Sequence, residues 1–302
     1  DSPAQQAGLE EGDYILSIDG VAVTDSAQSA DLTGAEGTQV TITVLSGSTG
    51  ETRELTLTRK AVPIPIVTYS LVDGVPVIEC LSFGDTTAQT ISQALKEYDD
   101  LDRPFILDLR ANPGGSTNAA ADGLGSLIGS HTVTYFRDGD GNYTKVSPES
   151  SYPDLTDQPV IILTDSNSAS ASELFSAAVR DYKAGIAVGG RTYGKGVAQI
   201  VLDGETNPDL FDGDALKITA YRFFSPDGTT NDTVGVIPTL LMSQEYAPMA
   251  ALLLTASQPG DSQGYWKLDL AGCTFYVSQA QAAQEGYRDA FARMLEALPP
   301  SA

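Results

Sequence analysis

Histidine is almost missing from this chain: His131 is the single one. It stands between Ser130 and Thr132 in a polar stretch and reads as a surface residue. A Ser-His-Asp or Cys-His hydrolase would have to use it, and a zinc enzyme would lack its usual ligands. Cysteine is scarce as well. Cys80 and Cys273 are far apart and form no CxxC pattern. They imply neither a zinc site nor a disulfide framework and read as two buried thiols, with one disulfide left open. Positive charge is short: 17 Lys and Arg stand against 40 Asp and Glu, for a net charge of −23. That argues against a nucleic-acid backbone as partner and against a polybasic grip on an anionic membrane, and it fits solubility. No apolar run of about 18 residues and no signal-peptide pattern occurs. The chain opens on Asp1, without Met, inside what reads as an ordered motif, as a trimmed sequence does. Any membrane anchoring would therefore lie outside these residues. What is present is ordinary: 41% hydrophobic and 19% charged residues, as in a soluble globular protein. At about 150 residues per domain the length suits two domains, or one large one with an appendage.

Three segments differ in pattern. In the first, Ser2-Pro3-Ala4 opens a short helix ending at Gly8. Strands follow at Tyr14–Ile18, Gln39–Leu45 and Thr52–Arg59, with a tight turn at Asp19-Gly20 and a helical stretch reaching about Leu32. Pro63-Ile64-Pro65 marks a boundary. In the second, strand-like runs at Val75–Cys80, Phe105–Leu109 and Val160–Leu163, and near Ala187, Ala198 and Ile218, alternate with helical ones at Thr86–Tyr98, up to Ile128, and Ala171–Tyr182. This rhythm predicts an α/β fold. Residues 131–158 predict a polar hairpin and loop. From about Glu245 the character changes to a small helix at Ala250–Leu254, a hairpin at Tyr265–Val277 and one amphipathic helix at Gln279–Leu298. The expected domains are therefore 1–62, 63–244 and 245–302.

With histidine set aside, a hydrolase would need another base. Lysine can serve if a dry pocket strips its ammonium of hydration and lowers its pKa to about 7–8. Three short segments bear on this. Ser166-Asn167-Ser168-Ala169-Ser170-Ala171-Ser172-Glu173 joins a buried-looking strand to a helix. A serine there stands beside free helix N–H groups that can hold an oxyanion. Ser170 with Glu173 also reads as a plain capping box. Thr192-Tyr193-Gly194-Lys195-Gly196 places a lysine between two glycines, and its frame is not that of a P-loop. Leu107-Asp108-Leu109-Arg110-Ala111-Asn112-Pro113-Gly114-Gly115 ends a strand in a bend where backbone N–H groups can approach a ligand closely, or in a simple turn.

Together these segments resemble the C-terminal processing peptidases, or tail-specific proteases, of peptidase family S41. Lys195 follows Ser170 by 25 residues and Gln199 follows Lys195 by four. Ile218-Thr219-x-x-Arg222, Ser225-Pro226-x-Gly228 and Gly235-Val236-x-Pro238 extend the similarity, which spans roughly residues 1–240. Residues 1–62, through Ser2-Pro3-Ala4-x-x-Ala7-Gly8-Leu9 and Gly12-Asp13-x-Ile15-Leu16-x-Ile18-Asp19-Gly20, resemble a PDZ domain whose first strand and carboxylate-binding loop lie outside this sequence. Ligand residues there are left unassigned.

The resemblance implies a crotonase-like (ClpP/crotonase-type) α/β core at 63–244, a small β-rich PDZ domain and a C-terminal α+β appendage. It implies a serine endopeptidase with Ser170 as nucleophile, Lys195 as general base and Gln199 orienting the lysine. The backbone N–H groups of Ala171 and Gly115 would form the oxyanion hole, with Gly114 as the second choice for Gly115, and Glu173 would support the serine loop. Neither metal nor other cofactor is implied. Substrates would be polypeptide tails or unfolded segments, the location exported (cell envelope or extracellular), and oligomerisation is open. Two rivals stand beside it: a catalytically silent PDZ-containing peptide binder of the same fold, and a crotonase-type acyl-CoA enzyme, which the acidity disfavours.

Overall fold

The computed structural model describes residues 2–25, 28, 31–62, 65–150, 158–204, 210–211 and 214–299. The chain divides into two compact units, Asp1–Pro65 and Ile66–Ala302.

In the first unit, α1 (Pro3–Gln6) starts on the Ser2 hydroxyl, which accepts from the Gln5 N–H, and on a proline in its first turn. β1 (Tyr14–Ile18) turns through Asp19 and Gly20, both with positive φ, into β2 (Val21–Ala22). β3 (Gln39–Leu45) and β4 (Thr52–Thr58) complete an antiparallel sheet of order β2-β1-β3-β4. Val40, Ile42 and Val44 alternate inward along β3 and pack with Ile18 and Leu57. Of the helical stretch expected before Leu32, residues 26, 27, 29 and 30 lie outside the described residues, while Gln28, Asp31 and Leu32 have 3-10 geometry. Pro63 and Ile64 of the expected boundary also lie outside them.

The second unit is built on a six-stranded sheet. Along the chain come β5 (Val67–Val72), β6 (Val75–Cys80), α2 (Thr87–Glu97), β7 (Phe105–Asp108), α3 (Thr117–Ile128), β8 (Thr134–Arg137), β9 (Tyr143–Val146), β10 (Val160–Thr164), α4 (Ala171–Asp181), β11 (Gly185–Gly189), β12 (Val197–Asp203), β13 (Ala215–Phe224), β14 (Leu240–Leu241), α5 (Ala247–Leu253), β15 (Tyr265–Leu270), β16 (Cys273–Ser278), α6 (Gln279–Ala282) and α7 (Glu285–Ala297). The large sheet has the order β14-β11-β10-β7-β6-β5, parallel except where β5 pairs with β6. A parallel sheet needs cover on both faces, and here alternate side chains go to different layers. Leu107 and Ile162 join α2, α3 and α4 through Ile91, Leu124 and Phe175. Ile106, Ile161 and Leu163 join Leu252, Phe275, Val277 and Met294. The segment from Glu245 thus packs on the central strands of one face of the sheet.

The last helix departs from expectation. It breaks at Ala283–Gln284, where Gln284 is extended (φ −69°, ψ 149°), so α6 and α7 are separate. The Gln284 carbonyl then accepts the Tyr287 N–H at 3.0 Å, and the Tyr287 hydroxyl reaches Asp73 at 2.6 Å. That part-buried tertiary contact accompanies the break in the helical periodicity. A second sheet, β12-β13-β8-β9, includes the polar hairpin expected after residue 131; residues 151–157 of the loop expected there lie outside the described residues.

Candidate active site

The three loops singled out by sequence leave the carboxyl ends of three adjacent parallel strands. β7 leads to Leu109–Gly115, β10 to Asp165–Ser170 and β11 to Gly190–Gly196. Parallel neighbours in register necessarily bring such loops side by side.

Two buried or half-buried polar residues lock the first loop to the second. Asn112 is fully buried. Its amide donates to the Cys80 carbonyl at 2.8 Å, its Oδ1 accepts the Gly114 N–H at 2.8 Å, and its carbonyl accepts the Ala169 N–H at 3.0 Å and the Ser172 hydroxyl at 2.9 Å. Asp165 Oδ1 accepts the N–H groups of Ala111, Asn167 and Ser168 at 3.1, 2.9 and 2.9 Å. The Ser168 hydroxyl donates to the Leu109 carbonyl at 2.7 Å. Burial pushes the nearby Cys80 thiol up to about 12, and both cysteines are free.

Ser170 is the N-cap of α4, with φ 57° and ψ −113°, a left-handed conformation that a non-glycine residue adopts at a cost of about 1–3 kcal/mol. Its carbonyl accepts the Glu173 N–H at 2.9 Å, and its own N–H donates to Glu173 Oε2 at 2.9 Å. The capping contact is therefore present. Glu173 does far more than cap. Its side chain is fully buried. Oε1 accepts the Thr192 hydroxyl at 2.6 Å and the Gly194 N–H at 2.8 Å, and Oε2 accepts the Lys195 N–H at 2.8 Å. One carboxylate therefore joins the serine turn to the lysine loop through four donors. Thr192 extends the join, because its oxygen accepts the Val236 N–H at 2.6 Å. Asn231, buried beneath the same loop, donates its side-chain amide to the Glu173 carbonyl at 3.5 Å. The sequence reading missed Asn231, which belongs to no motif quoted there; it treated Thr192 only as a pattern residue.

Ser170 and Lys195 are half-buried and Gln199 is exposed on β12. Among the described residues no hydrogen bond joins the Lys195 ammonium to Ser170 or Gln199. The backbone donors divide clearly. Gly115 bridges to Phe83 through the Gly114 carbonyl and the Ser116 N–H, and its own N–H has no partner among the described residues. The Ala171 N–H, first in α4, is likewise unpartnered among the described residues. The Gly114 N–H is taken by Asn112. A Cβ on Gly114 (φ 110°) would lie 2.9 Å from Ser170 Cβ and 3.0 Å from the Ala171 nitrogen, so this bend and the serine turn are in direct contact.

Arg110 is held further into its charged form by the Asp108 carboxylate that it grips. His131 is exposed and lies against Tyr182 at a tilt of 39°, with ring centroids 4.9 Å apart. Both line a cavity of about 780 Å³ at the far end of α4 from Ser170. Among the described residues no group of three or more His, Cys, Asp or Glu could hold a metal ion, and no helix is long and apolar enough to cross a membrane.

Residues 74–242, which include all three loops, match peptidase family S41. The chain belongs to peptidase family S41. Residues 1–46 match a PDZ domain. Among S41 relatives, the carboxyl-terminal-processing protease of Synechocystis is 30% identical over 278 residues, covering 89% of this chain and 62% of that protein. The chloroplastic carboxyl-terminal-processing peptidase 3 of Arabidopsis thaliana is 33% identical over 255 residues, covering 78% of this chain and 48% of that one. The chain thus spans about half to three-fifths of the length of these relatives. The solved photosystem II D1 C-terminal processing protease superposes with a TM-score of 0.54 at 29% identity, over 81% of this chain and 66% of that one.

Proposed function

We propose that this S41 chain is a serine-type endopeptidase that cleaves protein C-terminal tails or unfolded segments through an acyl-enzyme. Ser170 Oγ attacks the carbonyl carbon. Lys195 accepts the hydroxyl proton and later delivers it to the leaving amine, and water then releases the acyl group. Gln199 orients the lysine. The N–H groups of Gly115 and Ala171 hold the oxyanion, and Gly114, with its N–H already spent, is set aside. The core is read as crotonase-like, and the domains as 1–62, 63–244 and 245–302. An exported, envelope location follows the resemblance.

The observation that carries this reading is the Glu173 carboxylate, which accepts from the backbone N–H groups of both Ser170 and Lys195 at 2.9 and 2.8 Å. A capping residue alone would have no reason to hold a second loop. A silent peptide-binding protein is the second reading, favoured by the absence of a Ser170–Lys195 hydrogen bond among the described residues. Degradation of casein by the parent, Ser170→Ala and Lys195→Ala between about pH 6 and about pH 10 separates them. The peptidase reading expects turnover that rises with pH in the parent and is lost in both variants. Turnover that survives Ser170→Ala refutes it.

A further inference from the structure

Lys195 lies between Gly194 and Gly196, so its own stretch of chain has little intrinsic stiffness. Its position depends on what grips the backbone from outside. Glu173 takes the Gly194 and Lys195 N–H groups. The turn Asn231–Gly235 takes the next atoms along. The Thr233 N–H donates to the Gly194 carbonyl at 2.8 Å. Asp232 packs directly on Gly196, where a Cβ would stand 2.3 Å from Asp232 Cβ and 2.5 Å from its Cα and nitrogen. The Gly196 carbonyl accepts the Phe223 N–H at 3.0 Å.

This turn is strained. Thr233 has φ 64°, and among the described residues it is the one β-branched residue with positive φ. The left-handed region crowds a β-branched side chain. The Thr233 side chain is exposed and its hydroxyl has no partner among the described residues, so no side-chain contact offsets the strain. The surrounding backbone holds it instead. Asn231 is buried, and its carbonyl accepts the Val234 and Gly235 N–H groups at 3.2 and 2.8 Å. Val236 is fixed to Thr192. Between these ends the Asp232 carboxylate is gripped by Arg222 at 3.2 Å. Arg222 immediately precedes Phe223, which holds Gly196. The contacts close a ring that runs from Gly194 through Thr233, Asp232, Arg222 and Phe223 to Gly196, and Lys195 sits between its two ends.

We propose that Asp232 and Thr233, anchored by Arg222, are positioning residues for Lys195, the ion pair keeping a strained turn closed on the lysine loop. The inference rests on the peptidase reading above. Backbone strain of this kind persists only where the surroundings over-determine it. Without the ion pair, Thr233 relaxes to negative φ, its N–H leaves the Gly194 carbonyl, and Lys195 loses its fixed place beside the serine turn. Misplacing a base costs rate with little effect on substrate binding. A purely electrostatic role would behave differently. Asp232→Ala removes a negative charge beside the lysine loop and Arg222→Ala a positive one, so their effects on a lysine base would have opposite signs. Opening the clamp acts in one direction whichever partner is removed.

Asp232→Ala and Arg222→Ala, each alone and each combined with Thr233→Gly, are compared on the whole chain. Turnover of a quenched fluorogenic peptide gives kcat and KM, and hydrogen–deuterium exchange reports the Gly194 and Lys195 amides. The paired side chains are 52% and 20% exposed, so their truncation leaves the chain folded. Asp269→Ala, which removes the exposed pair with Lys267, is the control. Each single variant is expected to lower kcat at least about fivefold with KM held, and to speed exchange of both amides. Glycine takes positive φ without strain, so adding Thr233→Gly is expected to bring kcat and exchange back to within about twofold of the parent. A kcat change under about twofold in both single variants overturns the proposal. So do changes of opposite sign, a loss that Thr233→Gly leaves in place, or an equal loss in Asp269→Ala. Faster exchange that Thr233→Gly reverses, with no peptide cleaved by the parent, upholds the clamp on the loop and refutes the peptidase reading instead.

Discussion

Glu173→Gln tests the join between the serine and lysine loops with the smallest change of shape. All four partners of the carboxylate are donors: the Ser170, Gly194 and Lys195 N–H groups and the Thr192 hydroxyl, at 2.6–2.9 Å. A carboxylate only accepts, and a glutamine amide accepts at one atom and donates at the other. With the amide nitrogen in place of Oε2, two backbone N–H groups, those of Ser170 and Lys195, face a donor. With it in place of Oε1, the Gly194 N–H does. Thr192 cannot fully compensate, because its oxygen already accepts from Val236. Each hydrogen bond to a charged group contributes about 1.5–3 kcal/mol, so losing two costs about 3–6 kcal/mol, a large share of a typical stability of about 5–15 kcal/mol. The two loops also lose their common register, and a misplacement of about 1 Å costs about 100-fold in rate. Urea unfolding measures the first quantity. Peptide turnover at a temperature where the variant remains folded measures the second. A stability loss under about 1 kcal/mol together with turnover within about twofold of the parent would refute the reasoning.

Gly114→Ala would place a methyl 2.8 Å from the Ala169 carbonyl oxygen at φ 110°; kcat is expected to fall at least about tenfold with KM little changed, read from steady-state kinetics. Phe275 is fully buried on the sheet face that the C-terminal segment covers; Phe275→Ala is expected to cost about 3–5 kcal/mol by urea unfolding, with the kcat of the folded fraction unchanged. Asp227 is held down to about 2, first by the Ser225 hydroxyl and then, against the opposing effect of desolvation, by hydrogen bonds from Thr229. Its folded value lies below the unfolded 3.8, so its contribution is complete above 3.8 and is lost as pH falls toward about 2. Asp227→Asn should flatten the acid limb of a stability–pH curve in that window; an unchanged limb would show that solvent screening removes the effect.

Much of this protein could be read along the chain. The α/β rhythm came from short-range periodicity, and the strands Val75–Cys80 and Val160–Thr164 and the helices Thr87–Glu97 and Ala171–Asp181 lie where it put them, within about two residues at their ends. The absence of a usable histidine pointed to lysine. The serine, lysine and glycine segments, with their spacing, carried the family resemblance that the match over residues 74–242 then established. These are local signals, set by propensity, turn chemistry and chemical type.

What the tertiary structure alone decided depends on residues distant in sequence. Glu173 reads locally as a cap for Ser170, three residues away. Its other partners are 19, 21 and 22 residues on and become neighbours only because β10 and β11 lie side by side in register. Gly114 and Gly115 look interchangeable in the sequence. Asn112 takes the N–H of one, and Phe83, from the loop after β6, fixes the other with its N–H unpartnered among the described residues. The segment from Glu245 shows apolar residues but not their destination, which is the second face of the sheet. Propensity and periodicity act over a few residues, whereas hydrogen-bond partnership and burial are settled by whichever distant strands come to lie side by side.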